Sequence, residues 1–344
     1  MYKRQGPKWT PASLPNSSEV PRLRSLLFFA RNEDQDENCE WINGVSKNFQ
    51  LLRILDFTGL GHLRGKLPAS VGTLMYLRYL SLKDTGIDEL PFEIGNLRSL
   101  LILDLRVLEN VIIKLPNVFW KMQSLRQLYL PSRYEIEKIT LRNLSNLEKI
   151  EGLDLDMVDV EGLEGLTSLQ EVSARCLEKK EGLYPFLRSS TMKRMDLWIG
   201  ASMFVELSNI LSGCHFLVGL SIDGERDGSI PVPVTCAEKI PQNLERLGVG
   251  NCEISEDGIS ALGKLRQLKM LALMQCYAGS ELHISSNSFP ELIHLGMVGL
   301  TSLRELTVER GGLPKLKKLL IGGTQQLMLP DTLPPQVEIT RLIY

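Results

Sequence analysis

An apolar triplet with the spacing LxxLxL returns along nearly the whole chain at intervals of about 24 residues. Its clearest copy is Leu77, Leu80 and Leu82 in LRYLSLKDTGIDELPFEIGNL (Leu77 to Leu97). Counted by the middle residue, the series runs Leu26, Leu55, Leu80, Leu103, Leu128, Ile150, Val172, Met195, Leu220, Leu247, Leu271, Leu295 and Leu319. The residue three before each is Leu or Met throughout, from Leu23 to Leu316. Chance does not hold two such columns in phase. The triplet suits a short strand, whose alternate side chains face opposite ways, so that two apolar residues turn inward. Pro91, after Leu90, breaks regular pairing and suits an irregular return path. A single copy cannot bury its apolar side alone, so neighbouring copies must stack.

This is the grammar of a leucine-rich repeat. The expected fold is an α/β leucine-rich-repeat solenoid, or horseshoe, of about 13 units. It has a concave parallel β-sheet and a convex side of irregular or short helical segments. Residues 21–344 form this domain, and residues 1–20, rich in Pro and Ser, are read as an irregular arm.

The copies differ. Early ones carry Leu-Pro steps at Leu67-Pro68, Leu90-Pro91 and Leu115-Pro116. An acidic insertion with Glu33, Asp34, Asp36, Glu37 and Glu40 reads as a solvated loop. The middle copies are degenerate and acidic. There Glu148, Glu151, Asp154, Asp156, Asp159, Glu161 and Glu164 accompany only Lys149. They lack the Asp-x-Asp-x-Asp-Gly calcium loop, so a solvated convex surface is expected. Residues 223–243 read as a bulging loop. Leu303, Leu306 and Val308 imitate a strand but fall out of phase, so they are placed on the convex return. The end of the chain, QVEITRLIY, reads as a closing strand.

Side chains flanking the inward positions face the concave side. The candidate protein-binding residues there are Asp56, Tyr79, Lys83, Asp104, Arg106, Tyr129, Arg194, Asp196, Trp198, Asp223, Met270, Met274 and His294. Aromatic and Arg side chains are the usual anchors of protein interfaces. Met270 and Met274 are assigned to successive units. Leu23, Leu26 and Phe28 would lie on an exposed parallel edge, a candidate interdomain contact that makes the isolated chain aggregation-prone.

Catalytic and cofactor signals are not found. Gly258 to Lys264 (GISALGK) meets GxxxxGK, but Leu265 stands where a phosphate-binding loop needs Ser or Thr. His62, His215, His283 and His294 have no metal-ligand spacing. The net charge of -2 gives no general signal for nucleic acid. No apolar run is long enough for a membrane span, and the first thirty residues hold no signal-peptide core. Six cysteines without CxxC pairs fit reduced, buried thiols, Cys252 and Cys276 sharing one slot. The reading is a non-enzymatic, cytoplasmic protein-binding chain without catalytic, metal or cofactor residues.

LRSLLFF (Leu23 to Phe29), LLRILDFTG (Leu51 to Gly59) and LPASVGTLMYLRYLSLKDTGIDELPFEIGNLRSLLILDL (Leu67 to Leu105) closely resemble the repeat domain of plant intracellular disease resistance proteins. The likeness is to the coiled-coil, nucleotide-binding, leucine-rich-repeat type. Thr85 and Ile87 match that family's T-x-I step. SFPELIHLGMVGLTSLRELTVERGGLPKLKKLLI (Ser288 to Ile321) is similar to its C-terminal units. The resemblance implies a module that recognises a pathogen effector or a guarded host protein and also holds its own nucleotide-binding domain inactive. ADP or ATP would belong to that upstream domain, whose motifs this chain does not contain; a fragment and a free-standing repeat protein both remain open. The alternative is a Ras-group repeat scaffold, since LPxxIGxL is shared, but unit lengths drifting from 22 to 29 depart from that group's near-constant period. A ubiquitin-ligase receptor arm would need an F-box, and a secreted ectodomain would carry LxGxIP units and cysteine-pair caps.

Overall fold

The computed structural model describes residues 20, 22–28, 37–178, 186–187, 189–200, 206–207, 209–224, 231–232, 239–324 and 327–342. The arm expected over residues 1–20 lies outside these except for Val20. So do Glu33, Asp34, Asp36 and most of the 223–243 insertion. The chain forms two compact units, Met1–Leu169 and Gln170–Tyr344.

In the first unit the strands Ser25–Leu27, Ile54–Asp56, Tyr79–Ser81, Ile102–Asp104, Gln127–Tyr129 and Lys149–Asp154 lie side by side and parallel. Their register pairs Leu26 with Leu55, then Leu80, Leu103, Leu128 and Ile150 in turn. Leu55, Leu80, Leu103, Leu128 and Ile150 are wholly buried. Fully burying one such side chain stabilises a fold by about 1.5–3 kcal/mol. Most of these strands are only three residues long, so the leucine column, more than the hydrogen-bond ladder, holds the stack.

The return paths of this unit differ from the expected loops and turns. They build a second parallel sheet from Glu37–Asn38, Leu63–Lys66, Gly86–Glu89, Ile113–Lys114 and Tyr134–Glu135. The T-x-I step explains one of its strands. Thr85 is buried and its Oγ1 donates to the Leu82 carbonyl at 2.7 Å, which closes the turn and drops Ile87 into the core. Pro68 and Pro91 then sit in extended conformation just ahead of the short 3-10 turns Ala69–Thr73 and Phe92–Asn96. Proline suits that place, since no helical N–H is lost there.

The second unit repeats the inner pattern with longer strands: Glu171–Cys176, Arg194–Ile199, Gly219–Gly224, Arg246–Gly250, Met270–Met274, His294–Val298, Lys318–Gly322 and Glu338–Leu342. Val172, Met195, Leu220, Leu247, Leu271, Leu295, Leu319 and Ile339 pair in sequence. The closing segment is therefore a strand in phase with the rest. Glu305–Val308, the imitation strand, pairs instead with Glu281–Ile284 in a separate two-stranded sheet, as its phase required. The left-handed turn that ends successive strands recurs at Asn251, Gln275, Gly299 and Gly323. Gly and Asn are the usual residues for that conformation; Gln275 is the strained exception.

The GISALGK segment forms no phosphate cradle. Glu256–Leu262 is an α-helix capped by Ser255, whose Oγ accepts from the Gly258 N–H at 3.2 Å. Leu262 and Leu265 are buried on the repeat core. Cys252 and Cys276 are buried free thiols in equivalent slots. No described helix is long and apolar enough to cross a membrane.

Candidate recognition surfaces

The concave face of the first unit is built from residues that flank the leucine column. Asp56 Oδ1 accepts from the Thr58 N–H at 3.0 Å and the Thr58 hydroxyl at 2.6 Å. The Thr58 hydroxyl also meets the Ser81 hydroxyl at 2.7 Å on the next strand, and Ser81 is wholly buried. Tyr79 lies half-buried beside them. Burial, with Asp56 and Asp104 nearby, holds its phenol above the ordinary value against a lowering hydrogen bond from Ser81. Lys83 is half-buried, with no carboxylate within ion-pair distance among the described residues.

Further along, Arg106 organises a charged cluster. Its Nε donates to Asp104 Oδ1 at 2.9 Å and its Nη2 to Asp104 Oδ2 at 2.5 Å. Its Nη1 reaches Glu151 at 3.4 Å, and the guanidinium lies 4.4 Å from the centroid of the Tyr129 ring. Lys149 approaches the same ring at 5.4 Å and pairs with Glu151 at 2.8 Å. The Asp104 carboxylate holds the Arg106 guanidinium above its ordinary value, so the cation is fixed. Tyr129 is anchored in turn by its hydroxyl, which donates to Gln127 Oε1 at 3.0 Å.

Two expectations need correction here. Asp104 faces the predicted way but is only 5% exposed, because Arg106 folds over it; it positions Arg106 and offers a partner almost no surface. The acids of the middle copies form a solvated return surface only in part, at Glu161 and Glu164, which are exposed. Glu151 stands on the concave face with Arg106 and Lys149, and Asp154 is buried, its Oδ1 accepting from the Asp156 N–H at 3.0 Å. Cations of neighbouring copies meet others of these acids, as in Arg126–Glu148 at 3.3 Å and Lys138–Asp159 at 3.5 Å.

The supposed apolar edge is also corrected. Leu26 and Phe28 are buried, and Leu23 is half-buried. Phe28 stacks on Phe57 with centroids 5.2 Å apart and meets Trp41 edge-on at 5.0 Å. Trp41 precedes the helix Ile42–Asn48, whose Ile42 and Val45 are buried. What remains at this end is the backbone edge of Ser25–Leu27, which among the described residues pairs only with Ile54–Asp56. The covering residues Trp41, Ile42 and Val45 come directly after the acidic stretch read as a solvated loop, and Trp41 and Ile42 were the signal for them.

The second unit presents a different surface. Arg194 approaches Glu171 at 3.9 Å, Asp196 is half-buried, and Trp198 is 46% exposed. Asp223 Oδ1 accepts from Asn251 Nδ2 at 2.7 Å. Met270 and Met274 lie on one strand, not on successive units, since alternate residues of a single strand share a face. Both are exposed, with Ala272 between them. His294 stands beside Met270 in register, half-buried. Among the described residues no three His, Cys, Asp or Glu side chains gather as metal ligands would.

A family profile described as "Leucine-rich repeat region" matches residues 22–329. Among curated proteins, the probable disease resistance RPP8-like protein 4 of Arabidopsis thaliana is 33% identical, over 91% of this chain and 35% of its own length. The disease resistance protein RPP8 of the same plant is 32% identical, over 91% of this chain and 34% of its own length. The chain thus spans about a third of the length of these relatives. Among solved structures, an internalin of Listeria monocytogenes superposes with a TM-score of 0.53 at 17% identity, covering 80% of this chain and 83% of that one. The mouse RP105/MD-1 complex gives 0.51 at 20%, covering 85% and 55%. These two likenesses concern the fold alone.

Proposed function

The chain belongs to the leucine-rich repeat family, and from that premise we propose that it is the recognition and autoinhibition module of an intracellular plant immune receptor. The observation that carries the reading is the extent of the likeness. Disease resistance proteins match 91% of the chain at 32–33% identity, over far more positions than the two leucine columns occupy. The faces support it as well. Ordered strands hold Tyr79, Tyr129 and Trp198 on concave surfaces, Arg106 stands just past the strand Ile102–Asp104, and aromatic and Arg side chains anchor protein interfaces.

In this reading the module performs no chemistry and works in the cytoplasm. Its early repeats hold a nucleotide-binding domain in the ADP state, and its later repeats meet a pathogen effector or a guarded host protein. The ligand acts only through its greater affinity for the released state, so binding shifts a pre-existing equilibrium.

A chimera tests the proposal: a relative's receptor carrying this chain in place of its own repeats, expressed in leaf tissue. It is expected to stay silent, and deletion of residues 1–169, the early repeats, from it should release cell death. Cell death from the intact chimera, at the level of a receptor stripped of all repeats, would overturn the reading.

A further inference from the structure

Four consecutive strands of the second unit carry a row with an exposed cation at each end, Arg246 and Lys318, beside an exposed apolar patch. Arg246, Met270, His294 and Lys318 pair with one another in register, one per strand, along one side of the concave face. Arg246 is exposed and has no carboxylate within ion-pair distance among the described residues. Lys318 has only Glu338, at 4.0 Å, with both side chains about two-thirds exposed, and such a pair contributes little. Asp223, on the neighbouring strand, is taken up by Asn251.

Beside this row the strands are apolar. Met270 and Met274 are each 41% exposed, an uncommon placement for two large side chains on a single strand. Between the rims run Gly248, Ala272 and Gly296, which are also in register and project little or nothing, with the half-buried Leu320 closing the row on the fourth strand. The result is a shallow apolar channel with adaptable Met walls and a cationic margin.

The geometry points to this face as the docking site for an extended, acidic segment of a protein partner. The carboxylates of that segment lie along Arg246 and Lys318, and an apolar side chain sits between the Met residues. The inference rests on the recognition reading above and deepens it by giving the chemistry of the partner. Charge complementarity selects the acidic segment. A bare polyanion would leave the Met side chains uncovered, and an uncharged apolar segment would leave the cations without counter-charge. Four strands span about 14 Å, which matches about five residues of extended chain.

The probe is a fluorescent peptide of about eight residues alternating Glu and Leu, long enough to overrun the four strands. Its anisotropy is titrated with the full chain at low and high salt. Binding that weakens with salt is expected. Arg246→Glu with Lys318→Glu should cut affinity at least about tenfold. Gly296→Leu should do the same by filling the channel. A Cβ there meets nothing nearer than Ala272 at 3.8 Å, so this variant keeps its fold, checked by its thermal midpoint. Three outcomes overturn the proposal: no binding, equal binding of an all-Glu peptide or a single-stranded oligonucleotide, and binding untouched by Gly296→Leu. The titration needs no immune response, so it and the chimera assay fail independently.

Discussion

Arg106 and Arg246 both project from concave faces, one in each compact unit, and their surroundings are opposite. Arg106 is clamped by Asp104, reached by Glu151 and laid over the Tyr129 ring. Arg246 stands exposed, with no ion-pair partner among the described residues. The leucine columns beneath them are alike in spacing and burial. A repeat core therefore fixes where a face points and leaves its chemistry free. Arg106 is held in local order by its neighbours, whereas Arg246 is left open.

The largest test of this contrast is in the core. Phe57→Ala removes a wholly buried ring from the Phe28–Trp41–Phe57 cluster and should cost about 3–5 kcal/mol. Hydrogen exchange should show the lost protection confined to residues 22–28 and 37–169, because stacked repeats communicate mainly with their neighbours. Loss of protection spread evenly over residues 239–324 would break the picture of two separable units.

Glycines sharpen it next. A Cβ on Gly72 would overlap the Glu93 backbone carbonyl, so Gly72→Ala should lower the denaturation midpoint by an equivalent of about 1–3 kcal/mol. Gly296→Ala, whose Cβ would make only ordinary contacts with Ala272, should stay within about 0.5 kcal/mol of the parent. Equal effects would mean that both glycines serve packing alone.

Asp104→Ala should cost about 1 kcal/mol, since its partner Arg106 is partly exposed and screened by solvent. Its sharper readout is local: freed of Asp104, Arg106 should leave the Tyr129 ring, visible as a change in Tyr129 ring resonances. An unchanged ring environment would show that Glu151 and Tyr129 suffice to hold the cation.

The smallest effect at neutral pH concerns thiols. Burial pushes Cys39 and Cys276 up to about 12 and Cys252 higher still. A thiol whose folded value is raised stabilises the fold fully below its unfolded value near 9. That contribution is lost as pH climbs from there toward the folded values. Stability should thus be level from pH 7 to 8 and fall above pH 9, and less steeply in Cys252→Ala with Cys276→Ala. Two of these three thiols lie in the second unit, so protection there should fail before that of the first. Rapid alkylation of Cys252 or Cys276 in the native chain at pH 8 would contradict their burial.

Much of the fold was readable because its signal is one-dimensional. Within each unit the spacing places each central residue opposite the next, and the phase argument sends Leu306 and Val308 to a different sheet. The candidate surfaces were half readable. Strand alternation places Tyr79, Arg106, Trp198 and Met270 outward, but exposure depends on neighbours about a unit away in sequence. Asp104 vanished beneath Arg106, and Phe28 beneath Trp41 and Phe57.

By itself, then, the sequence determined the repeat, the inward columns and the residues able to reach the concave faces. These follow from the two-residue period of a strand and the need to bury leucine. Only the tertiary structure decided which charges cancel and which remain open. Ion pairing works across a few ångströms of space, and in a stacked solenoid those ångströms join residues from different repeats, such as Arg106 and Glu151.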